Sequence, residues 1–383
     1  MDLRYSEEEE AFRAELRSWL SETVPVLPPK PDAEDWPARR AYDTGWQRKL
    51  FDAGYAGIDW PVEGGGRGAS PIEQLVYVEE LERAHAPYVG VNFVGLLHAG
   101  PTIVVEGTAE QRARYLPPIL RGDEVWCQGF SEPGAGSDLA SLRTRANRDG
   151  NEYVVTGSKI WTSHAEVADF CELLVRTGAE DSRHRGITWL ILPMDSPGIE
   201  IRPLRTIAGS DEFAELFLDE VRVPVENRVG EENDGWRVTM TTLSFERGTA
   251  FVGELLQSIE MLRGLRDRAI SYDEPERSLA MERIGVLGAE FDAQWALARR
   301  NVSQAARTGV PGLGGSVFKL AFSELRQRLA ELAMKMSGRE SLVWHDDLVV
   351  DTWMNSFSRT IAAGTSQIQR NIVAERILGL PKA

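Results

Sequence analysis

The apolar positions along the chain follow three successive patterns. From residue 6 to about 121 they recur at helical spacing, as at Phe12, Leu16 and Leu20. A glycine-rich stretch at 63–70 and the proline pair at 117–118 interrupt this pattern, and we interpret both as loops. The pattern predicts an N-terminal helical domain.

Beyond about residue 125 the apolar residues form short runs that favour β-structure, separated by Gly, Asp and Pro. The runs lie at 153–155, 171–175, 187–192 and 216–223. They predict a small, mainly antiparallel β domain.

Helical spacing returns after Gly235. Two apolar stripes are typical of packed antiparallel helices. They consist of Val252, Leu255, Leu256, Ile259 and Leu262, and of Phe318, Phe322, Leu325, Leu329, Leu332 and Met336. Ser366 and Gln369 predict a capping box for a last helix that Gly379 ends. We therefore expect an α+β fold with a helical domain (1–121), an antiparallel β domain (122–232) and a C-terminal four-helix bundle (233–383).

Composition narrows the classes of function. The 383 residues are 42% hydrophobic, enough for a substantial core, and carry a formal charge of -16. This charge opposes binding to nucleic acid or to an anionic membrane surface. Only Cys127 and Cys171 are present, which fits a reducing compartment, so we expect a cytoplasmic protein. An acidic start predicts no export signal, and we expect no membrane span and no metal site.

The segment QGFSEPGAGSD (128–138) is the first with candidate chemistry. Its glycines leave backbone N–H groups free, and its serines supply short hydroxyls, so that it could hold a phosphate. A polar turn between strands is the plain alternative. A dinucleotide-binding glycine motif fits less well, because the third glycine is missing and no apolar helix follows.

Three further segments change this balance: GSKIWTSHA (157–165), FLDEVRVPVENRVGEENDGW (217–236) and GTSQIQRNIVAERILGLP (364–381). In this order, together with the first, they resemble the motifs of the acyl-CoA dehydrogenase family across nearly the whole chain. The resemblance implies bound FAD and removal of an α proton and a β hydride from an acyl-CoA thioester.

The resemblance also assigns residues. It implies flavin contacts at Gln128, Phe130, Ser131, Gly136, Ser137, Trp161, Ser163, Arg277, Thr365 and Gln367. Ser137 would also lie near the acyl-CoA. At Arg277 the chain departs from the family pattern, because Ala280 stands where the family has Phe.

The catalytic base is a second departure. Most family members carry it as Glu in a Glu-Gly-Thr sequence, but here Ala363 occupies that position. Isovaleryl-type and long-chain members place the base in an earlier Glu-Arg pair, which here is Glu246-Arg247. We expect Glu246 to be the base, although it could also be an ordinary surface glutamate. Arg247 would orient the base or ligand, or pair with an acidic neighbour. The N–H of Ala363 would still bind the thioester oxygen.

We therefore expect an acyl-CoA dehydrogenase that passes electrons to an electron-transfer flavoprotein. The arginine region and Ala363 are similar to actinobacterial subunits acting on sterol side-chain thioesters, and branched or medium-chain acyl-CoA are the competing substrates. Such relatives form mixed tetramers. We therefore expect a homotetramer or an α2β2 heterotetramer, and a non-catalytic or half-site subunit is the alternative function. An oxidase remains a third possibility.

Overall fold

The computed structural model describes residues 5–245, 251–308, 314–342 and 348–381. By its contacts the chain divides into two compact units. One comprises Met1–Pro25, Ser70–Ala86 and Arg247–Ala383, and the other comprises Val26–Ala69 and Pro87–Glu246. The first is built from helices, and the second combines helices with a β-sheet.

The α-helices of the described residues are α1 (Glu7–Thr23), α2 (Trp36–Asp52), α3 (Pro71–Arg83), α4 (Gly100–Glu106), α5 (Ala109–Arg121), α6 (Gly235–Phe245), α7 (Val252–Ile270), α8 (Glu276–Thr308), α9 (Gly314–Ser337), α10 (Leu348–Arg359) and α11 (Ser366–Ile372). The strands are β1 (Trp126–Gly129), β2 (Arg145–Asp149), β3 (Glu152–Ser163), β4 (Phe170–Arg176), β5 (Ile187–Pro193), β6 (Ile199–Leu204), β7 (Phe213–Pro224) and β8 (Arg228–Val229). The predicted order of helices, strands and helices is confirmed. The domain boundaries given above stay a prediction.

Local sequence signals account for several helix starts. Ser6, Ser70 and Thr108 each form a capping box with the Glu or Gln three residues later, which satisfies backbone N–H groups at the helix start. The predicted capping box of the last helix is wrong in its register. Thr365 caps α11, because its hydroxyl accepts from the N–H of Ile368.

The helical unit contains the predicted apolar stripes. Helices α7, α8 and α9 share one core, in which Leu255, Phe291, Phe322 and Leu329 are almost fully buried. Removing this apolar surface from water supplies the main stabilisation of the bundle. In the same unit α1 joins α3 through Glu80, whose buried carboxylate accepts from two arginines of α1.

The β-sheet contains all four predicted runs. Its strands lie in the order β6-β7-β3-β2-β4-β5-β8, and β1 pairs with β4. The pairs β1·β4 and β2·β4 are parallel, and the others are antiparallel. One face packs around Val155, Leu173, Leu190 and Leu216, which have no exposed surface.

The expected loop at residues 117–118 is wrong, since both prolines lie inside α5. Burial explains the difference: Tyr115, Leu116, Ile119 and Leu120 form a buried face that keeps the segment helical despite the missing N–H groups. The helix ends at Gly122, which has a positive φ of 73°.

A buried amide network positions strand β1. The side chain of Gln47 in α2 donates to the carbonyl of Ile119 and accepts from Asn92 at 3.1 Å. Asn92 in turn accepts from the N–H of Trp126 at 3.1 Å. Because an unpaired buried amide is costly, these bonds fix where β1 starts.

Candidate active site

The segment 128–138 leaves strand β1 and folds into a tight turn. Glu132 and Ala135 exchange two backbone hydrogen bonds, at 3.1 and 3.0 Å. The carbonyl of Ser131 accepts from the N–H of Ile160 at 2.9 Å, which holds the turn beside strand β3. Beyond the turn, Gly136 and Ser137 are exposed.

A buried ion pair holds this turn in place. The ammonium of Lys159 has no exposed surface and lies 2.8 Å from Glu132 and 3.2 Å from the carbonyl of Phe130. Burial alone would raise the pKa of Glu132, but the charge of Lys159 and hydrogen bonds from Thr144 lower it below its usual value. The turn is therefore held by a charged pair, and Phe130 is itself buried.

Trp161 lies at an irregularity of strand β3. Pairing with β7 shifts register between Lys159 and Thr162, so the strand bulges there. Trp161 has a positive φ of 63° and its side chain is 57% exposed; its ring packs edge-on against Phe213, with 5.8 Å between the ring centroids. A bulky residue rarely adopts such a backbone conformation. The backbone at Trp161 is therefore strained, and the pairing of the sheet around it must keep it in this conformation. Ser163 follows in the same strand and is half-buried.

Gln128 is tied to two residues that the sequence analysis did not select. Its side-chain NH2 donates to Glu172 of β4 at 2.7 Å and lies 3.3 Å from Nδ1 of His98. Glu172 has no exposed surface and His98 is 8% exposed. A glutamate inside the apolar run at 171–175 was the signal that could have found it.

The helical unit holds the other predicted residues around Ala363. Ala363 and Gly364 have positive φ values of 51° and 85°, and Thr365 then caps α11. The ammonium of Lys319, buried in α9, donates to the carbonyl of Gly364 at 2.6 Å. Gln369 donates to the carbonyl of Ala363 at 3.0 Å. Both carbonyls are therefore held by side chains. Among the described residues the N–H of Ala363 donates to no acceptor.

The structure does not bring every predicted residue together. Gln367 lies exposed in the first turn of α11, near Ala363 in the chain. Arg277 lies near the start of α8, where it pairs with Glu274 at 2.9 Å and is 47% exposed. Ala280 is buried in the helical core beside it in sequence. Glu246 and Arg247 lie outside the described residues.

Lys319 is a third residue that the sequence analysis missed. It stands among the buried positions of α9, between Phe318 and Phe322, and only 4% of its surface is exposed. A lysine on an apolar helix stripe needs a specific acceptor, because an unpaired buried charge is costly. That irregularity was visible in the sequence.

Among the described residues, no group of three or more His, Cys, Asp or Glu side chains could hold a metal ion. No helix in the described ranges has the length and apolar character needed to cross a bilayer.

Family models match almost the whole chain. The N-terminal, middle and C-terminal domains of acyl-CoA dehydrogenase match residues 6–123, 127–221 and 233–378. The fold and these matches define a class, and the chain belongs to the acyl-CoA dehydrogenase family of oxidoreductases. The expected fold and enzyme class are thereby confirmed.

Three similar proteins show which members of the family this chain resembles. The acyl-CoA dehydrogenase IpdE1 of Mycobacterium tuberculosis is 38% identical to this chain. The match covers 97% of this chain and 98% of the length of IpdE1. A solved structure described as the Tcur3481-Tcur3483 steroid ACAD is 30% identical, covers 100% of both chains and has a TM-score of 0.85. The ChsE4-ChsE5 complex from Mycobacterium tuberculosis is 32% identical over 100% of both chains, with a TM-score of 0.79.

Proposed function

We propose that this chain is a subunit of an FAD-dependent dehydrogenase that converts an acyl-CoA thioester to the 2-enoyl-CoA and passes electrons to an electron-transfer flavoprotein. A sterol side-chain thioester is the proposed substrate. The description of one similar structure as a steroid ACAD supports this choice.

Polar and aromatic groups of the β domain fit a flavin. The carbonyl oxygen of Gln128 accepts no hydrogen bond from the described residues, and the hydroxyl of Thr162 is buried with no partner among them. Trp161, the neighbour of Thr162 in strand β3, offers a large exposed aromatic surface. At Gly136 a side chain would meet open space, so the backbone there is accessible to a pyrophosphate. We assign flavin contacts also to Phe130, Ser131, Ser137, Ser163, Arg277, Thr365 and Gln367.

Bound FAD would supply the acceptor for the hydride that leaves the β carbon. The chain supplies the rest of the reaction. Glu246 removes the α proton, for which a carboxylate near the thioester is required. The N–H of Ala363 donates to the thioester oxygen and stabilises the negative charge that develops there. Arg247 and Ser137 bind the acyl-CoA.

The arrangement at Ala363 carries the proposal. An N–H without an acceptor among the described residues, next to two carbonyls held by Lys319 and Gln369, is what an oxyanion site requires. An alanine cannot act as a base, so the carboxylate must come from another position. Helix α6 is described up to Phe245, the residue before Glu246.

The test follows flavin reduction without oxygen. The full chain is purified with bound FAD, and its visible spectrum is recorded as acyl-CoA is added. The wild-type protein should bleach. Glu246→Gln should keep its colour and bleach at least about a hundredfold more slowly, because general base catalysis contributes about 10²–10⁴-fold.

Glu260→Gln is the matched control. Glu260 carries the same side chain on α7, is 64% exposed and pairs with Arg263 one turn away. It should bleach at the wild-type rate. If Glu246→Gln bleached as fast as Glu260→Gln, Glu246 would not be the base.

A partner subunit without its own complete site is the second candidate function. The similar solved structures named after two chains, Tcur3481-Tcur3483 and ChsE4-ChsE5, favour it. In the same experiment such a chain would be colourless alone and would gain flavin only with an unlike subunit.

A further inference from the structure

A buried carboxylate in the β domain has no part in the chemistry proposed so far. Glu172 lies in β4 with no exposed surface, between Cys171 and Leu173. In the parallel pairing of β1 with β4 it stands directly beside Gln128. Side chains paired in this way share a face of the sheet, so the Glu172 carboxylate reaches the Gln128 amide at 2.7 Å.

The contact with Glu172 sets which end of the amide faces it. The NH2 group of Gln128 donates to Oε1 of Glu172, which turns the amide carbonyl oxygen away from that side. The bond is partly buried, so water competes with it less than at an exposed site. The carbonyl oxygen of Gln128 is left to a donor that the described residues do not supply.

His98 takes the second hydrogen of the same NH2 group. Its Nδ1 lies 3.3 Å from the amide nitrogen, which can only donate, so Nδ1 accepts and the ring proton resides on Nε2. The π-helical turn Gly95–Ala99 presents this ring, and Phe93 packs edge-on against it at 5.7 Å. Both hydrogens of the amide are thus engaged.

We propose that Glu172 and His98 are positioning residues that hold the Gln128 carboxamide with its oxygen directed at a ring N–H of the flavin. This inference rests on the proposed function, because it takes Gln128 as a flavin contact. It adds that the chain selects a hydrogen-bond donor at this point of the cofactor. A freely rotating amide would serve a donor or an acceptor equally.

The test measures the Kd of FAD for the apoprotein of the full chain, by the change in flavin fluorescence. Gln128→Leu and Glu172→Leu should each raise the Kd about fivefold, the value of one hydrogen bond. The double variant should be no worse than Gln128→Leu, because the inference assigns the effect of Glu172 on flavin binding to its hold on the Gln128 amide. Glu172→Gln should stay near wild type, since its oxygen still accepts from Gln128. His98→Phe should also raise the Kd of the wild type. It should have no effect on the Kd when Gln128 is already leucine.

A second pair of variants covers the case in which Glu172→Leu does not fold. Gln128→Glu places two carboxylates side by side and should weaken FAD binding. Adding Glu172→Gln to it exchanges the two side chains, restores one donor facing one carboxylate, and should recover most of the affinity. A purely structural Glu172 would show no such recovery.

Two results overturn the inference. One is that the Kd of the Gln128→Leu, Glu172→Leu protein rises by the product of the two single fold-increases. The other is an exchanged pair no better than Gln128→Glu alone. In both cases a wild-type chain that binds FAD leaves the proposed function intact. A wild-type chain that takes up no FAD, alone or with an unlike subunit, overturns both.

Discussion

At the scale of single residues, Gln128 of β1 and Glu172 of β4 are joined by a hydrogen bond of 2.7 Å between neighbouring strands. The segment around Gln128 was identified from its glycines and serines. Glu172, which orients that glutamine, was not, because strand pairing brings together residues 44 positions apart. A motif records only neighbours in the chain. Buried charges such as Glu172 and Lys319, in otherwise apolar runs, are the signal that partly replaces this missing information.

His164 makes the stability of the chain depend on pH. Its Nδ1 is buried and has no partner among the described residues. Burial, with the positive charge of Arg39, lowers the pKa of His164 from 6.5 to about 4. Between these values the unfolded chain binds a proton that the folded chain does not, so acid favours unfolding. The contribution of His164 to the free energy of unfolding is present in full above pH 6.5 and is lost as the pH falls towards 4.

Urea unfolding at pH 7.5 and pH 5 should therefore show a loss of about 2 kcal/mol from this residue. His164→Asn tests its origin, because Asn does not titrate and tolerates the positive φ of 58° at this position. The variant should lose about 2 kcal/mol less stability than the wild type over the same pH interval. An unchanged loss in the variant would assign the pH dependence to other groups.

At the scale of elements, apolar periodicity predicted the helices and strands correctly, whereas the loop predicted at the proline pair 117–118 is wrong. The four β runs and the two helix stripes are present because apolar periodicity reflects burial directly. The prolines of α5 gave a wrong prediction, because the apolar face around them is buried and outweighs two missing N–H groups. The bulge at Trp161 could not be predicted, since it depends on the register with β7.

Helix α6 is tied to the end of α4, and we expect this contact to matter for activity. Glu106 accepts both from Arg237, at 2.6 and 2.7 Å, and from Thr241, at 2.8 Å. The carboxylate is 9% exposed. Since α6 is described up to the residue before Glu246, loosening it should misplace the proposed base. Glu106→Gln should cost about 1 kcal/mol of stability and lower turnover at unchanged FAD content.

Asp234→Asn is the matched control, because Asp234 pairs with the same Arg237 at 2.7 Å but is 42% exposed. An exposed pair contributes little, so this variant should lose under about 0.5 kcal/mol and keep its turnover. Equal losses of turnover in both variants would show that the buried contact has no special role. Thermal unfolding and steady-state kinetics measure the two effects.

At the scale of the whole molecule, assembly is the property that motifs predict least. Helix α8 buries Ala280, Ile284 and Leu287 in the helical core. Leu279 and Val286, seven residues apart on one other face, are 55% and 56% exposed. We take this face, with its two exposed apolar side chains, as the candidate for a surface that another protein covers. In the second proposed function, an unlike subunit would be the protein that covers this surface.

Replacing both Leu279 and Val286 by Glu should therefore prevent assembly. Covering this surface would then bury two carboxylates without partners, which is unfavourable enough to weaken association at least about tenfold. Light scattering after gel filtration measures the result: the wild type with its partner should exceed the 42.7 kDa of one chain, and the variant should not. Ile207→Glu is the control, because Ile207 is 63% exposed outside this helix and should leave the assembly unchanged. If the α8 variant assembled like the wild type, the subunit contact would lie on another surface.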